Sequence, residues 1–239
     1  QDQPLDGCDA IRQLLKRHPD TKILTTCRRH QNYGRFNGSI DEQVAVLEKA
    51  VEAGAIAVDV EIESAEAAPQ TVDRLRNLTD LIISFHSYSG TPPLQKLMVR
   101  MQRYPADAYK VVTTARKPSD LMRLLSLVRE KPGVPLILLS MGEIGFPSRV
   151  LSVKMGCLYS YAAPNTAQGT APGQVSSDKM RSVYATEKLN RDTGIYGVIA
   201  SPVKHSISPQ IHNRALQFRR INGIYLPFLV ETGQLKDFM

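Results

Sequence analysis

An α/β fold on a parallel sheet is predicted by two features of the sequence. Short, β-branched apolar runs alternate with longer stretches of helical periodicity, and the helical stretches carry capping residues at their ends. Residues 8–17 read as a first helix, ended by His18-Pro19 with no strand before it. The runs at 22–27 and 56–62 read as strands, separated by a helix that opens at Ser39-Ile40-Asp41-Glu42. That helix carries Val44, Leu47 and Val51 on one face and closes at Gly54. Strands at 81–86 and 109–114 flank a helix with Leu94, Leu97, Met98 and Met101 in register. Ser119-Asp120 starts a third helix of this kind (Leu121, Leu124, Leu125, Val128), followed by strands at 135–140 and 157–162. A loop rich in Gly, Pro and Thr spans 165–174, and a helix is expected from 176 to 190. At Arg191-Asp192-Thr193-Gly194 the pattern restarts: strand 195–200, helix 209–220, a turn at Asn222-Gly223, strand 224–230.

Six strands before the restart are two short of a closed parallel barrel. They fit either an open doubly wound sheet or a barrel whose first two strands precede Gln1. The second segment stops at Met239, too soon to complete an α/β domain.

Composition narrows the function classes. With 239 residues, 42% hydrophobic and 22% charged, the chain has the make-up of a soluble globular protein with a full core. No apolar run is long enough to span a bilayer, and residues 1–9 lack the apolar segment of a signal peptide. Three widely spaced cysteines, Cys8, Cys27 and Cys157, fit packed, reduced thiols in the cytoplasm. The net charge of +7 comes from scattered basic residues, with no run longer than Arg28-Arg29 or Arg219-Arg220. Such a surface attracts small anionic substrates and lacks the clustering of a nucleic-acid track.

Parallel α/β barrels keep their reacting groups at the C-terminal ends of the strands. Those ends offer Arg28, Asp59, Glu61, His86, Lys110 and Met141, with Arg149 in the following loop and Thr170 to Gln174 after the last strand. Lys110 lies in an otherwise apolar strand. It is either an edge residue snorkelling to water or a buried amine of the kind that attacks a ketone. His86 is either a capping or core histidine or a general acid and base beside such an amine. Arginine at positions 28 and 149 and Gln174 could grip a carboxylate and hydroxyls, although each alone reads as a surface residue. Asp59 and Glu61, two apart on one strand, share a face; they form an interior network or assist His86. The dinucleotide spacing G-x-G-x-x-G is absent from the chain.

Five stretches, in order, resemble the type I 3-dehydroquinate dehydratases over residues 5–190. They are Thr25-Thr26-Cys27-Arg28 with Gly34-Arg35-Phe36, Ser84-Phe85-His86 with Thr91-Pro92, Tyr109-Lys110-Val111, Ser140-Met141-Gly142 with Ser148-Arg149, and Ala171-Pro172-Gly173-Gln174. The resemblance implies an eight-stranded TIM-type barrel, here lacking its first two strands. It implies that Lys110 forms an imine with the C3 ketone of 3-dehydroquinate, and that His86 moves the C2 proton to the departing hydroxyl. Arg28, Arg149, Thr170, Gln174 and Met141 would be substrate-binding residues. The step would need no metal and no dissociable cofactor.

The run Tyr196-Gly197-Val198-Ile199-Ala200-Ser201-Pro202-Val203-Lys204-His205-Ser206-Ile207-Ser208-Pro209-Gln210-Ile211-His212-Asn213 resembles the opening of shikimate dehydrogenases. That likeness implies that Ser206 and Ser208 bind a shikimate-type carboxylate, with Tyr225 near them. It also implies that NADP belongs only to the complete dehydrogenase. The domains expected are 1–190 and 195–239, in a cytoplasmic protein (plastid if from a plant) acting on small molecules, with homo-oligomers allowed.

The chain departs from the family in three places. No Glu-x-Arg pair of the missing strands is present, the family's glutamate four residues after Arg28 is Asn32, and the acidic residue after the histidine is Ser87. The dehydrogenase's catalytic lysine and aspartate would lie beyond Met239. Two rival readings follow, an aldolase-type imine barrel, or an inactive fragment that only binds a hydroxylated cyclic acid or a partner.

Overall fold

The computed structural model describes residues 7–131, 133–165 and 173–239. They fall into two compact units. One takes the chain through Phe85 together with Lys96–Lys110; the other takes His86–Gln95 with Val111–Met239.

In the first unit, helix α1 (Gly7–Arg17) precedes strand β1 (Leu24–Thr26). Helix α2 (Ile40–Glu52) begins with the expected capping box: Ser39 accepts from the Glu42 N–H, and Glu42 reaches back to the Ser39 N–H. It ends at Gly54, whose φ of 114° only glycine adopts cheaply. Strand β2 (Ala57–Glu61) is buried along its whole length, the mark of a central strand of a parallel sheet. Two short helices, α3 (Ile62–Ala67) and α4 (Pro69–Arg76), lead to strand β3 (Asp80–His86). β1 pairs in parallel with β2 and β2 with β3, setting Thr26 beside Asp59 and Glu61 beside Ser84. Helix α5 (Leu94–Met101) then leads to strand β4 (Ala108–Thr114). The Asp107 carboxylate accepts from the Leu81 N–H, and the Leu81 carbonyl accepts from the Asp107 N–H, which fixes the start of β4 beside β3.

In the second unit, helix α6 (Pro118–Glu130) has Asp120 accepting from the Arg116 and Lys117 N–H groups at its start. Strand β5 (Leu136–Met141) and helix α7 (Ser148–Met155) follow. The five strands stand in chain order, β1 to β5, in one sheet.

The run at 157–162, expected as a sixth strand, is not one. Its described backbone bonds run to several partners: the Leu158 N–H bonds the Leu136 carbonyl of β5. The Tyr161 carbonyl accepts from Arg149, and Ala163 pairs with 175–177. The helix expected over 176–190 is likewise shorter. Helix α8 (Ser177–Ser182) stops, Ala185 turns at φ 44°, and a single 3₁₀ turn covers Thr186–Lys188. The break lets Tyr184 drop into the core, its ring 5.3 Å from Phe146.

The later segment forms the expected βαβ unit, strand β6 (Gly194–Ala200), helix α9 (Ser208–Phe218) and strand β7 (Gly223–Leu229), with the two strands parallel. The Asn213 side chain clasps α9 to β7 by bonding both the N–H and the carbonyl of Tyr225, at 2.8 Å each. Ile224 and Leu226 of β7 enter one apolar cluster with Leu121 and Leu125 of α6, Val150 and Leu151 of α7, and Met180 of α8. The terminal turn α10 (Leu235–Phe238) places Asp237 on the Ser119 N–H at 2.8 Å, at the N-terminus of α6.

Candidate active site

Along β2 two carboxylates point to one face, as alternation along a strand requires. Asp59 and Glu61 are almost wholly buried. Buried carboxylates need cations and hydrogen bonds, and β3, β4 and the loop after β1 supply them. Lys110, 7% exposed, puts Nζ 2.8 Å from Asp59 Oδ2. Arg28 reaches Asp59 Oδ1 at 3.3 Å with one terminal nitrogen, and Glu61 Oε1 at 3.4 Å and Ser84 Oγ at 3.3 Å with the other. Ser84 Oγ donates to Asp59 Oδ1 at 2.6 Å. Burial pushes the Asp59 carboxyl up, but the charges of Lys110 and Arg28 and the bonds from Lys110 and Ser84 outweigh it and hold it below the ordinary value. Lys110 is therefore a buried amine in an ion pair, not a snorkelling edge residue. Asp59 and Glu61 form the interior network, the first of the two roles open to them.

The loop after β1 fixes Arg28. The Phe36 N–H bonds the Arg28 carbonyl, the Gly34 N–H bonds the Arg29 carbonyl, and a Cβ added at Gly34 would fall on the Arg28 carbonyl itself. Glycine is the one residue that allows this approach. Asn32 donates to Glu63 Oε2 at 3.0 Å, so the charge that position lacks stands one side chain away, on a carboxylate that also pairs with Arg100.

Two further residues of this network carry little signal in the sequence. Ser84 stands out only as the neighbour of Phe85 and His86. Gln43, which donates to Glu61 Oε2 at 2.7 Å, sits on the apolar face of α2 beside Val44, where a polar residue in an apolar stripe is the readable clue.

The second unit carries the remaining candidates. His86 ends β3, half-buried. Met141 ends β5 and packs with Val112, Leu139 and Tyr161. Arg149, on the first turn of α7, is 2% exposed; Nη1 donates to the Tyr161 carbonyl at 3.3 Å, and Nε has no acceptor among the described residues. Burial lowers the guanidinium to about 10. Gly173, at φ 76°, lies against Gly142, so Gln174 stands beside the loop that follows β5. A cavity of about 390 Å³ there is lined by Gly142, Phe146, Gln174, Tyr184, Lys204 and Ser206. Ser206 Oγ accepts from the Ser208 N–H at the start of α9, leaving its own hydrogen to donate. Thr170 lies outside the described residues.

No group of metal-binding side chains occurs among the described residues, and no helix there is long and apolar enough to cross a membrane. In β6, a Cβ at Gly197 would lie 2.5 Å from the Phe228 ring, so this glycine serves strand packing rather than a phosphate turn.

Residues 198–239 match the shikimate dehydrogenase substrate binding domain, and residues 2–191 match type I 3-dehydroquinase. A bifunctional 3-dehydroquinate dehydratase/shikimate dehydrogenase (chloroplastic) of Arabidopsis thaliana is 33% identical over 226 residues, 93% of this chain and 37% of the relative. The chain thus spans little more than a third of that relative's length. A 3-dehydroquinate dehydratase of Dehalococcoides mccartyi is 34% identical over 177 residues, 73% of this chain and 79% of its own. Among solved structures, the 3-dehydroquinate dehydratase of Geobacillus kaustophilus superposes with a TM-score of 0.64 at 27% identity, covering 73% of this chain and 70% of that one. Over the greater part of its length, then, the chain belongs to the type I 3-dehydroquinase family.

Proposed function

We propose that the chain dehydrates 3-dehydroquinate to 3-dehydroshikimate through an imine on Lys110. The observation that carries this reading is the Lys110 amine itself, buried on β4 and held on Asp59 at 2.8 Å. An ammonium must lose a proton before it attacks a ketone, and Asp59 is the acceptor in place. Attack at C3 gives a carbinolamine, which loses water to form the imine. While protonated, that imine keeps a positive charge opposite Asp59 and draws electrons from the C2–H bond. His86 takes the C2 proton and delivers it to the hydroxyl leaving C1, so one water departs. Hydrolysis of the imine then frees the product and Lys110.

Arg149, a buried cation with no carboxylate partner among the described residues, suits the substrate carboxylate. Arg28, Thr170 and Gln174 serve the hydroxyls and carboxylate, and Met141 supplies an apolar wall. The dehydratase step uses no cofactor. We divide the chain into a dehydratase part, 1–190, and the opening of a dehydrogenase substrate domain, 195–239. There Ser206 and Ser208 bind the carboxylate of a shikimate-type acid, and the NADP-dependent step requires the complete dehydrogenase. The compartment is the cytoplasm, or the plastid in a plant.

Borohydride reduction in the presence of 3-dehydroquinate, read by intact mass and peptide mapping, tests the proposal. An adduct on Lys110 supports it. A folded sample that yields no adduct sinks it.

A further inference from the structure

We infer that Gln43 is a positioning residue for this chemistry, acting through Glu61 on Arg28; the inference rests on the dehydratase reading above. Gln43 is 0% exposed, on the face of α2 that otherwise buries Val44, Leu47 and Ala50. A residue serving only to fill that space would be apolar, because an amide taken out of water costs stability unless every polar atom finds a partner. Gln43 finds them all. Nε2 donates to the Cys27 carbonyl at 2.8 Å and to Glu61 Oε2 at 2.7 Å, and Oε1 accepts from Ser64 Oγ at 2.9 Å.

Both donor bonds end on what holds Arg28. Cys27 is the residue before it. Glu61 turns its other oxygen to the Arg29 N–H at 3.0 Å and to the Arg28 guanidinium at 3.4 Å. The Arg28 guanidinium also pairs with Asp59, the partner of Lys110. One amide on a helix thus fixes the backbone before Arg28 and the carboxylate that orients its side chain. Ser64, the residue that fixes the amide, stands three residues beyond Glu61. Without the amide, Glu61 is held from one side only, and Arg28 loses the orientation in which it meets substrate.

The test uses the full chain with Gln43→Leu, Arg28→Lys and the double variant. Nitrogen-15 spectra report the Arg28 guanidinium, assigned by its disappearance in Arg28→Lys, and steady-state kinetics with 3-dehydroquinate report its function. In Gln43→Leu the Arg28 signal is expected to shift or broaden, and KM to rise about tenfold, the usual scale for removing a residue that orients a ligand-binding group. kcat should stay within about threefold, since the Lys110 amine is not itself displaced. In the Arg28→Lys background the same substitution should change KM less than about twofold, because the two act as one unit. An unchanged Arg28 signal, or additive effects on KM, overturns the inference. If Gln43→Leu does not fold, Ser64→Ala carries the same readouts and the same expected directions. A wild-type chain that shows no turnover refutes the dehydratase reading instead, and the guanidinium spectra still decide the role of Gln43.

Discussion

Lys110 Nζ and Asp59 Oδ2 lie 2.8 Å apart in a site where both side chains are buried. A pair of this kind is hard to break from one side. Asp59→Asn takes the carboxylate out of a buried ion pair and is expected to cost about 3–5 kcal/mol. Urea denaturation measures the loss. In the folded fraction that remains, borohydride trapping on Lys110 should slow, because the proton acceptor for the amine has gone.

The same pair sets an acid limit. The Asp59 carboxyl is held below its ordinary value of 3.8 in the folded chain. A carboxyl depressed on folding contributes stability that is complete above the unfolded value and is lost as pH falls through the folded one. Denaturation midpoints should therefore fall as pH drops below about 4. The slope should be shallower in Asp59→Asn; equal slopes would remove Asp59 from the account.

Gly34→Ala tests the loop that fixes Arg28. The new methyl meets the Arg28 carbonyl, and overpacking of that kind costs about 1–3 kcal/mol. The chain should unfold at lower urea and bind 3-dehydroquinate less tightly, measured by titration calorimetry.

Arg149→Met should separate stability from activity. Among the described residues no carboxylate pairs with Arg149, and an apolar side chain of similar length removes the cost of burying the charge, so the change should be neutral or stabilising, by about 1 kcal/mol. The melting temperature should hold or rise. kcat/KM for 3-dehydroquinate should fall about 100-fold, the scale of a lost charge-assisted pair with a carboxylate. A fall in both would make Arg149 a structural residue.

Much of this architecture is legible in the sequence because local and tertiary preferences agree. The capping box at Ser39, the glycine at 54 and the apolar runs of β2 to β5 each specify in sequence what the fold uses. The run at 157–162 misleads because its β-propensity is outbid by partners far from it in sequence, the Arg149 guanidinium and the 175–177 backbone. In the site, Asp59 and Glu61 announce a shared face by their spacing. Which cations meet them depends on strand order and register, which no local pattern encodes. Lys110 illustrates the limit: its apolar neighbours allow either a snorkelling or a buried amine, and a partner 51 positions earlier, Asp59, shows which.

The apolar cluster that Ile224 and Leu226 share with α6 and α7 also has a consequence in time. A ribosome releases Leu121, Leu125, Val150 and Leu151 well before it releases β7. At about 5–20 residues per second, the interval between Leu151 and Ile224 lasts on the order of 4–15 s. For that interval the nascent helices present an oily face with no lid of their own. Chaperone capture of stalled nascent chains should peak in this window and subside once β7 has emerged.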